Sequence, residues 1–198
     1  MINSITIIMG EAGAGKDTVA DFINDLSDKH CNIFKYGDAV RKVASVLYNI
    51  PIESFTSQEG KAEYNAFWGA TNRELLQFVG TDLVRNKLNR NHWVNLASQT
   101  LESMHDFSAE VNLLATDCRF KNEYELLEGF AKAQNIPIKY VNVSRPANPW
   151  KLPLDEASHE SENYTHTIED YVIHVINSGS IKHFKKQIKD KLLPELFK

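Results

Sequence analysis

Gly10-Glu11-Ala12-Gly13-Ala14-Gly15-Lys16 stands between two segments of different period. Before it, Ser4-Ile5-Thr6-Ile7-Ile8-Met9 is a short, β-branched apolar run. Such a run marks a strand buried on both faces. After it, Val19, Phe22, Ile23 and Leu26 recur at helical spacing and give a helix one apolar face. A strand feeding a helix through a GxxxxGK turn is built to hold an anion. The glycines let main-chain N–H groups curl around phosphate oxygens. The helix N-terminus adds roughly half a positive charge, and Lys16 can reach the β- and γ-phosphates of a nucleotide. A bare GxxxxGK also arises by chance as a plain glycine turn; the strand before it and the helix after it favour the cradle.

The rest of the chain repeats this alternation. Ile33 to Tyr36 reads as a short strand, and Val40, Val43, Ala44 and Leu47 as a helix ending before Pro51. From Ile52 to Ala70 the pattern is weak, which predicts a short helix and surface loops. Thr71 to Lys87 is predicted helical, with Gly80 as a bend or a close approach. Asn91 to Met104 is predicted as another helix, Val111 to Thr116 as a buried strand, Glu123 to Gln134 as a helix and Ile138 to Val143 as a strand. Arg145 to Thr167 carries three prolines and reads as a long loop; Tyr171 to Ile176 is a further strand, and Ile181 to Leu193 a closing helix. Strands alternating with helices predict parallel βαβ units in a single α/β domain.

Composition removes several classes of function. Lys and Arg total 22 against 26 Asp and Glu, a net charge of −4, which disfavours a binder of polymeric nucleic acid. No apolar run approaches the roughly 18 residues of a membrane span, and the first ten residues lack the basic flank of a signal peptide. Cys31 and Cys118 have no CxxC partner, so neither a disulfide framework nor a zinc ribbon is expected, and the thiols suit a reducing, cytoplasmic compartment. The guanine-reading NKxD and the switch DxxG are both missing, which argues against a GTPase. A small kinase fits the length best, with a Walker A loop, an acceptor site and a mobile lid bearing cations. Oligomeric state, a homodimer included, stays open.

The phosphate-binding turn is a Walker A loop with one departure: Asp17 follows Lys16 where Ser or Thr ordinarily ligates Mg²⁺, and Thr18 comes one place later. Asp17 could hold Mg²⁺ directly or through water, or simply favour the helix N-terminus by its charge. Asp117 ends a buried strand, as a Walker B acid would, although a strand-end cap has the same position. Arg119 suits a phosphate or a surface ion pair. Glu123 opens the next helix, a favourable place for an acid whatever its role. Arg73, Gln77, Gly80, Thr81 and Asp82 lie along one helix and its bend, where solvated charges are the simpler account. Trp93 has core spacing. Arg41 could grip an acceptor phosphate or face solvent. Arg145 stands where a strand passes into the long loop that holds His159-Glu160-Ser161-Glu162.

Taken in order, these residues resemble the deoxynucleoside monophosphate kinases of tailed bacteriophages. Gly15-Lys16-Asp17-Thr18 with Ala20-Asp21-Phe22-Ile23 is similar to that family's variant Walker A. Leu76-Gln77-Phe78-Val79-Gly80-Thr81-Asp82-Leu83 is similar to its LxQxxGTDL helix, with Arg90 and Trp93-Val94 following. Asp117-x-Arg119 with Glu123, Val143-x-Arg145-Pro146 and the His159 to Glu162 stretch complete the match. The 50–70 stretch is outside it. The resemblance implies a three-layer P-loop NTPase fold, with a central, mostly parallel sheet, a helical acceptor-binding insertion at about 38–105 and a lid at about 145–167.

It also implies transfer of the ATP γ-phosphoryl group, with Mg²⁺, to a deoxynucleoside 5′-monophosphate. Glu11, Ala12, Gly13, Ala14, Gly15, Lys16, Asp17, Thr18 and Asn177 would bind ATP, Asn177 near the adenine. Arg41, Arg73, Gln77, Gly80, Thr81, Asp82, Trp93, Asp117 and Arg119 would bind the acceptor. Lys16, Arg119 and Arg145 would act on the transferring group, and Asp17 and Asp117 would serve the metal. A kinase of another small phosphorylated metabolite, or an ATP-binding regulatory protein without turnover, are the alternatives.

Overall fold

Burial of the first strand on both faces organises the molecule. In the computed structural model, which describes residues 1–107, 109–149, 151 and 172–198, β1 (Ile2–Met9) is flanked on both sides by other strands. They are β2 (Cys31–Phe34), β5 (Val111–Ala115), β6 (Ile138–Ser144) and β7 (Val172–Ile176), in the order β2-β5-β1-β6-β7. Every pairing is parallel: Ile7 lies opposite Ala115 on one side and Tyr140 on the other.

A parallel sheet needs cover on both faces, and successive side chains along a strand divide between them. Ile8, Leu114, Val141, Val143 and Val175 join one cluster with Val19, Ala20 and Ile23 of α1 (Lys16–Leu26) and Phe184 of α7 (Ile181–Gln187). Ile188 and Leu192, on a π-helical continuation of α7, and Leu196, on α8 (Leu193–Leu196), complete that cluster. Tyr140 points the other way, and its hydroxyl donates to Glu128 Oε1 of α6 (Lys121–Ala133) at 2.7 Å. Leu127 and Ala131 of α6 are buried as well. The result is a three-layer α/β arrangement with a parallel sheet in the middle, as the alternation predicts.

Residues 36–98 form a second compact unit. It contains α2 (Gly37–Tyr48), a 3₁₀ turn (Ile52–Phe55), α3 (Gln58–Ala62), a hairpin of β3 (Tyr64–Asn65) and β4 (Ala70–Thr71), α4 (Asn72–Gln77) and the start of α5 (His92–Phe107). Ala44, Tyr48, Ile50, Phe55, Leu75 and Val79 make its core. Thr71 starts α4 with a capping box: its hydroxyl accepts from the Glu74 N–H, and Glu74 Oε2 accepts from the Thr71 N–H at 2.6 Å.

Several boundaries differ from the expected ones. The second strand lies two residues earlier than Ile33 to Tyr36, and the helix after it begins at Gly37. The weak stretch holds a two-stranded hairpin, not only a helix and loops. Its turn is tied by Asn65 Oδ1, which accepts from the N–H groups of Phe67 and Trp68. The helix expected over Thr71 to Lys87 is α-helical only to Gln77 and continues to Leu88 as a π-helix. Gly80 sits in this wider segment, packed so closely on Val40 that a Cβ would lie 3.1 Å from Val40 Cγ1. Trp93 Nε1 donates to the Gly80 carbonyl at 2.7 Å. Residues 145–149 and 151 begin the long loop; its remainder, with His159, Glu160, Ser161 and Glu162, lies outside the described residues. Among the described residues, no helix is long and apolar enough to cross a membrane.

Candidate active site

The turn after β1 can be formed only with glycine at key places. Gly10 has φ +142°, and a Cβ there would lie 2.2 Å from the Val143 carbonyl oxygen on β6. Gly15, at φ +104°, would press a Cβ onto the Asn177 amide at 2.6 Å. Neither position accepts an L side chain without moving the backbone.

The loop's carbonyls all have donors. Lys16 Nζ donates to Gly10 O at 2.7 Å and to Glu11 O at 3.0 Å. Asn148 Nδ2 donates to Ala12 O at 2.7 Å, Arg145 Nη1 to Gly13 O at 3.3 Å and Asn177 Nδ2 to Ala14 O at 2.9 Å. The Gly15 carbonyl takes the first bond of α1, from the Val19 N–H. By contrast, the N–H groups of Ala12, Gly13 and Gly15 donate to no other group among the described residues. With its carbonyls tied down and the N–H groups of Ala12, Gly13 and Gly15 open, the turn has main-chain donors of the kind that bind an anion. Glu11 is exposed, and Thr18 is half-buried in the first turn of α1.

Asp17 has partners that the sequence reading did not name. Its Oδ1 accepts from the Thr116 hydroxyl at 2.7 Å and pairs with Lys35 Nζ at 2.9 Å. Thr116 is buried at the end of β5, and Lys35 directly follows β2. Asp117, the acid that the sequence offers for a Walker B role, is the residue after Thr116. Asp17 is itself largely exposed. Carboxylate and hydroxyl oxygens side by side suit a hard divalent cation such as Mg²⁺.

Beyond β5, Glu123 organises the turn carrying Asp117 and Arg119. Its Oε2 accepts from the Arg119 N–H at 2.6 Å and the Phe120 N–H at 3.1 Å. Burial pushes its carboxyl up to about 7; the negative charge of Asp117 adds to this, while those two N–H groups and the Arg119 charge oppose it. In the unfolded chain the same group titrates near 4.5. Between these values the folded state holds the extra proton, so this contribution to stability is lost as pH rises from about 4.5 through 7. The loss reaches about 3 kcal/mol at most, at roughly 1.4 kcal/mol per pH unit. Glu123→Gln should therefore gain on the wild type from pH 5 to pH 8 in urea unfolding; parallel profiles would refute this.

In residues 36–98, Arg41 of α2 pairs with Asp38. Arg73 is buried and donates to Gln58 Oε1 at 2.9 Å. Gln77 Nε2 is buried without a hydrogen-bond partner, an uncompensated donor of the kind a polar ligand satisfies. Gly80, Thr81 and Trp93 are buried, whereas Asp82 is exposed. Arg85 is a second buried arginine, donating to the Arg90 carbonyl at 3.1 Å. It lies outside the motifs that the sequence offers. An arginine among Leu83, Val84 and Leu88 was the available signal, because a buried cation is retained only with partners.

Residues 63–188 match the family described as deoxynucleotide monophosphate kinase. The chain belongs to that family. As a deoxynucleotide monophosphate kinase it is a phosphotransferase, and ATP is the donor that this family implies. It is 28% identical over 194 residues to a protein of Acanthamoeba polyphaga mimivirus named "Putative deoxynucleotide monophosphate kinase", covering 91% of this chain and 92% of the viral one. In fold the kinase is similar to a sugar kinase from Janibacter sp. HTCC2649, with a TM-score of 0.51, 13% identity, and 98% and 94% of the two chains covered. An APS kinase from Mycobacterium tuberculosis, solved with AMPPNP and APS, aligns at a TM-score of 0.49 and 13% identity over 96% and 97% of the chains.

Proposed function

We propose that this kinase moves the ATP γ-phosphoryl group onto the phosphate of a deoxynucleoside 5′-monophosphate, with Mg²⁺, and that the residues above divide the work. The observation that carries the assignment of the donor site is the tied turn, in which each carbonyl from Gly10 to Gly15 has a donor while the N–H groups of Ala12, Gly13 and Gly15 stay open. Glu11 to Thr18 then bind the ATP phosphates, and Lys16 leaves its two carbonyls for the β- and γ-oxygens. Arg145, already beside Gly13, adds positive charge near that turn. Asn177 supports the loop from β7, beside the nucleotide.

Asp17 and Thr116 would hold Mg²⁺, with Asp117 close by in sequence at the same strand end; Lys35 keeps Asp17 oriented. The ion supplies charge neutralisation of the phosphate oxygens. To the acceptor we assign Arg41, Arg73, Gln77, Gly80, Thr81, Asp82, Trp93, Asp117 and Arg119. Gln77 has the strongest support, because its buried amide donor needs an acceptor. The attacking atom is already a phosphate oxyanion, so no general base is required. Catalysis then rests on in-line placement and on cations offsetting the repulsion between two anions. The substrates are small nucleotides, and we place the enzyme in the cytoplasm, host cytoplasm if viral.

The test is ADP formation from MgATP with each deoxynucleoside monophosphate, each ribonucleoside monophosphate and no acceptor. Stimulation by one or more deoxynucleotides supports the assignment and reads out base and sugar preference. Equal rates with and without every acceptor would overturn it.

A further inference from the structure

The three side chains that reach the phosphate-binding turn from outside come from one end of two neighbouring strands. Arg145 directly follows β6, Asn148 lies three residues further on, and Asn177 directly follows β7. They take three consecutive carbonyls, Ala12, Gly13 and Ala14. A peptide unit whose carbonyl is held outward must direct its N–H the opposite way, because the two groups are antiparallel in a trans peptide. Holding Ala12, Gly13 and Ala14 by their oxygens therefore fixes the N–H groups of Gly13, Ala14 and Gly15. Of these, the Ala14 N–H is engaged with the Glu11 carbonyl at 3.1 Å, and those of Gly13 and Gly15 stay open.

We propose that Asn148, with Asn177, is a positioning residue that keeps this turn in its anion-binding form before nucleotide arrives. Its amide suits the task better than a charged group. It donates to the Ala12 carbonyl at 2.7 Å, the shortest of the three contacts, without adding a cation that would stay on the carbonyl or be drawn to the ligand. Arg145 has the longest contact, 3.3 Å, so it can leave Gly13 for a phosphate while the two asparagines go on holding the loop. Asn148 is half-buried on a loop outside the apolar clusters, so its replacement leaves the core intact. The inference rests on the turn being the ATP phosphate site, as proposed above.

Asn148→Asp tests it, since the carboxylate keeps the shape, loses the donor and repels the Ala12 oxygen. Amide hydrogen exchange on the nucleotide-free protein is read first. Exchange of the Ala14 amide, which is bonded to the Glu11 carbonyl within the turn, should quicken by about tenfold, the effect of one net hydrogen bond, with the melting temperature within a few degrees of wild type. ADP affinity by calorimetry should weaken by about the same factor, and KM for ATP should rise with kcat at saturating ATP nearly unchanged. Asn177→Asp should reproduce both effects. Unchanged loop exchange and ADP affinity within twofold of wild type in both variants would overturn the proposal. If wild-type protein binds no ADP, the nucleotide assignment fails instead, and the exchange experiment still decides whether the asparagines hold the loop.

Discussion

Lys16→Ala should lower kcat by roughly 10² to 10³ while leaving the fold intact, the usual cost of removing one preorganised charged donor. The side chain is well placed for this to be a clean experiment. Its ammonium lies on two carbonyls of its own turn rather than in the core, at 2.7 Å and 3.0 Å from Gly10 and Glu11. Those carbonyls become accessible to water when the chain is shortened, so the melting temperature should move by only a degree or two. Binding of ATP should suffer less than turnover, because open N–H groups of the loop still face the phosphates. Near-normal turnover in this variant would exclude Lys16 from the transfer step.

Asp17→Ala should be nearly as damaging, and its signature should differ. The carboxylate joins Thr116 at the end of β5 with Lys35 after β2. Removing it leaves the Thr116 hydroxyl, which is buried, without this acceptor and leaves the Lys35 ammonium without its 2.9 Å counter-charge. We expect a fall in turnover of about 10², from the same kind of charged-group loss, and a displacement of the Mg²⁺ dependence to higher concentration. Thr116→Val should show a smaller version of the same displacement, because it removes the hydroxyl beside Asp17 and keeps the carboxylate. Titration of activity against free Mg²⁺ separates these outcomes. A Mg²⁺ curve unchanged in Asp17→Ala would remove Asp17 from the metal site and leave it as a helix-start charge.

The parts legible from sequence were those with a long period or a motif. β1, the glycine turn and α1 announce themselves because apolar spacing switches from continuous to helical across a fixed pattern of glycines. The later strands at 111, 138 and 172 are visible for the same reason. The hairpin at Tyr64 to Thr71 was not, because two-residue strands carry no period; its only trace is turn chemistry at Asn65 and Gly69. Nor does any sequence pattern distinguish an α-helix from the π-helical stretch after Gln77.

At the site, the hydrogen bond from the Thr116 hydroxyl to Asp17 joins residues 99 positions apart, and no sequence pattern names that pair. Lys35, Asn148 and Asn177 act through contacts with residues 18 to 163 positions away. Spacing along the chain contains nothing about such contacts, so Lys35 and Asn148 went unnamed, and the contact of Asn177 with Ala14 could not be foreseen.

The central place of β1 has a consequence for how the protein is made. Its two neighbours are residues 111–115 and 138–142, so β1 is synthesised well before either edge can be paired. The loop that follows it waits longer still, for Arg145, Asn148 and Asn177. Such distant pairing makes for slow folding and leaves an apolar, unpaired segment in the nascent chain. Ribosome-bound intermediates ending before residue 140 should therefore expose Ile5 to Met9 to chaperones, and nucleotide could not rescue them, since its own cradle is among the last features to close.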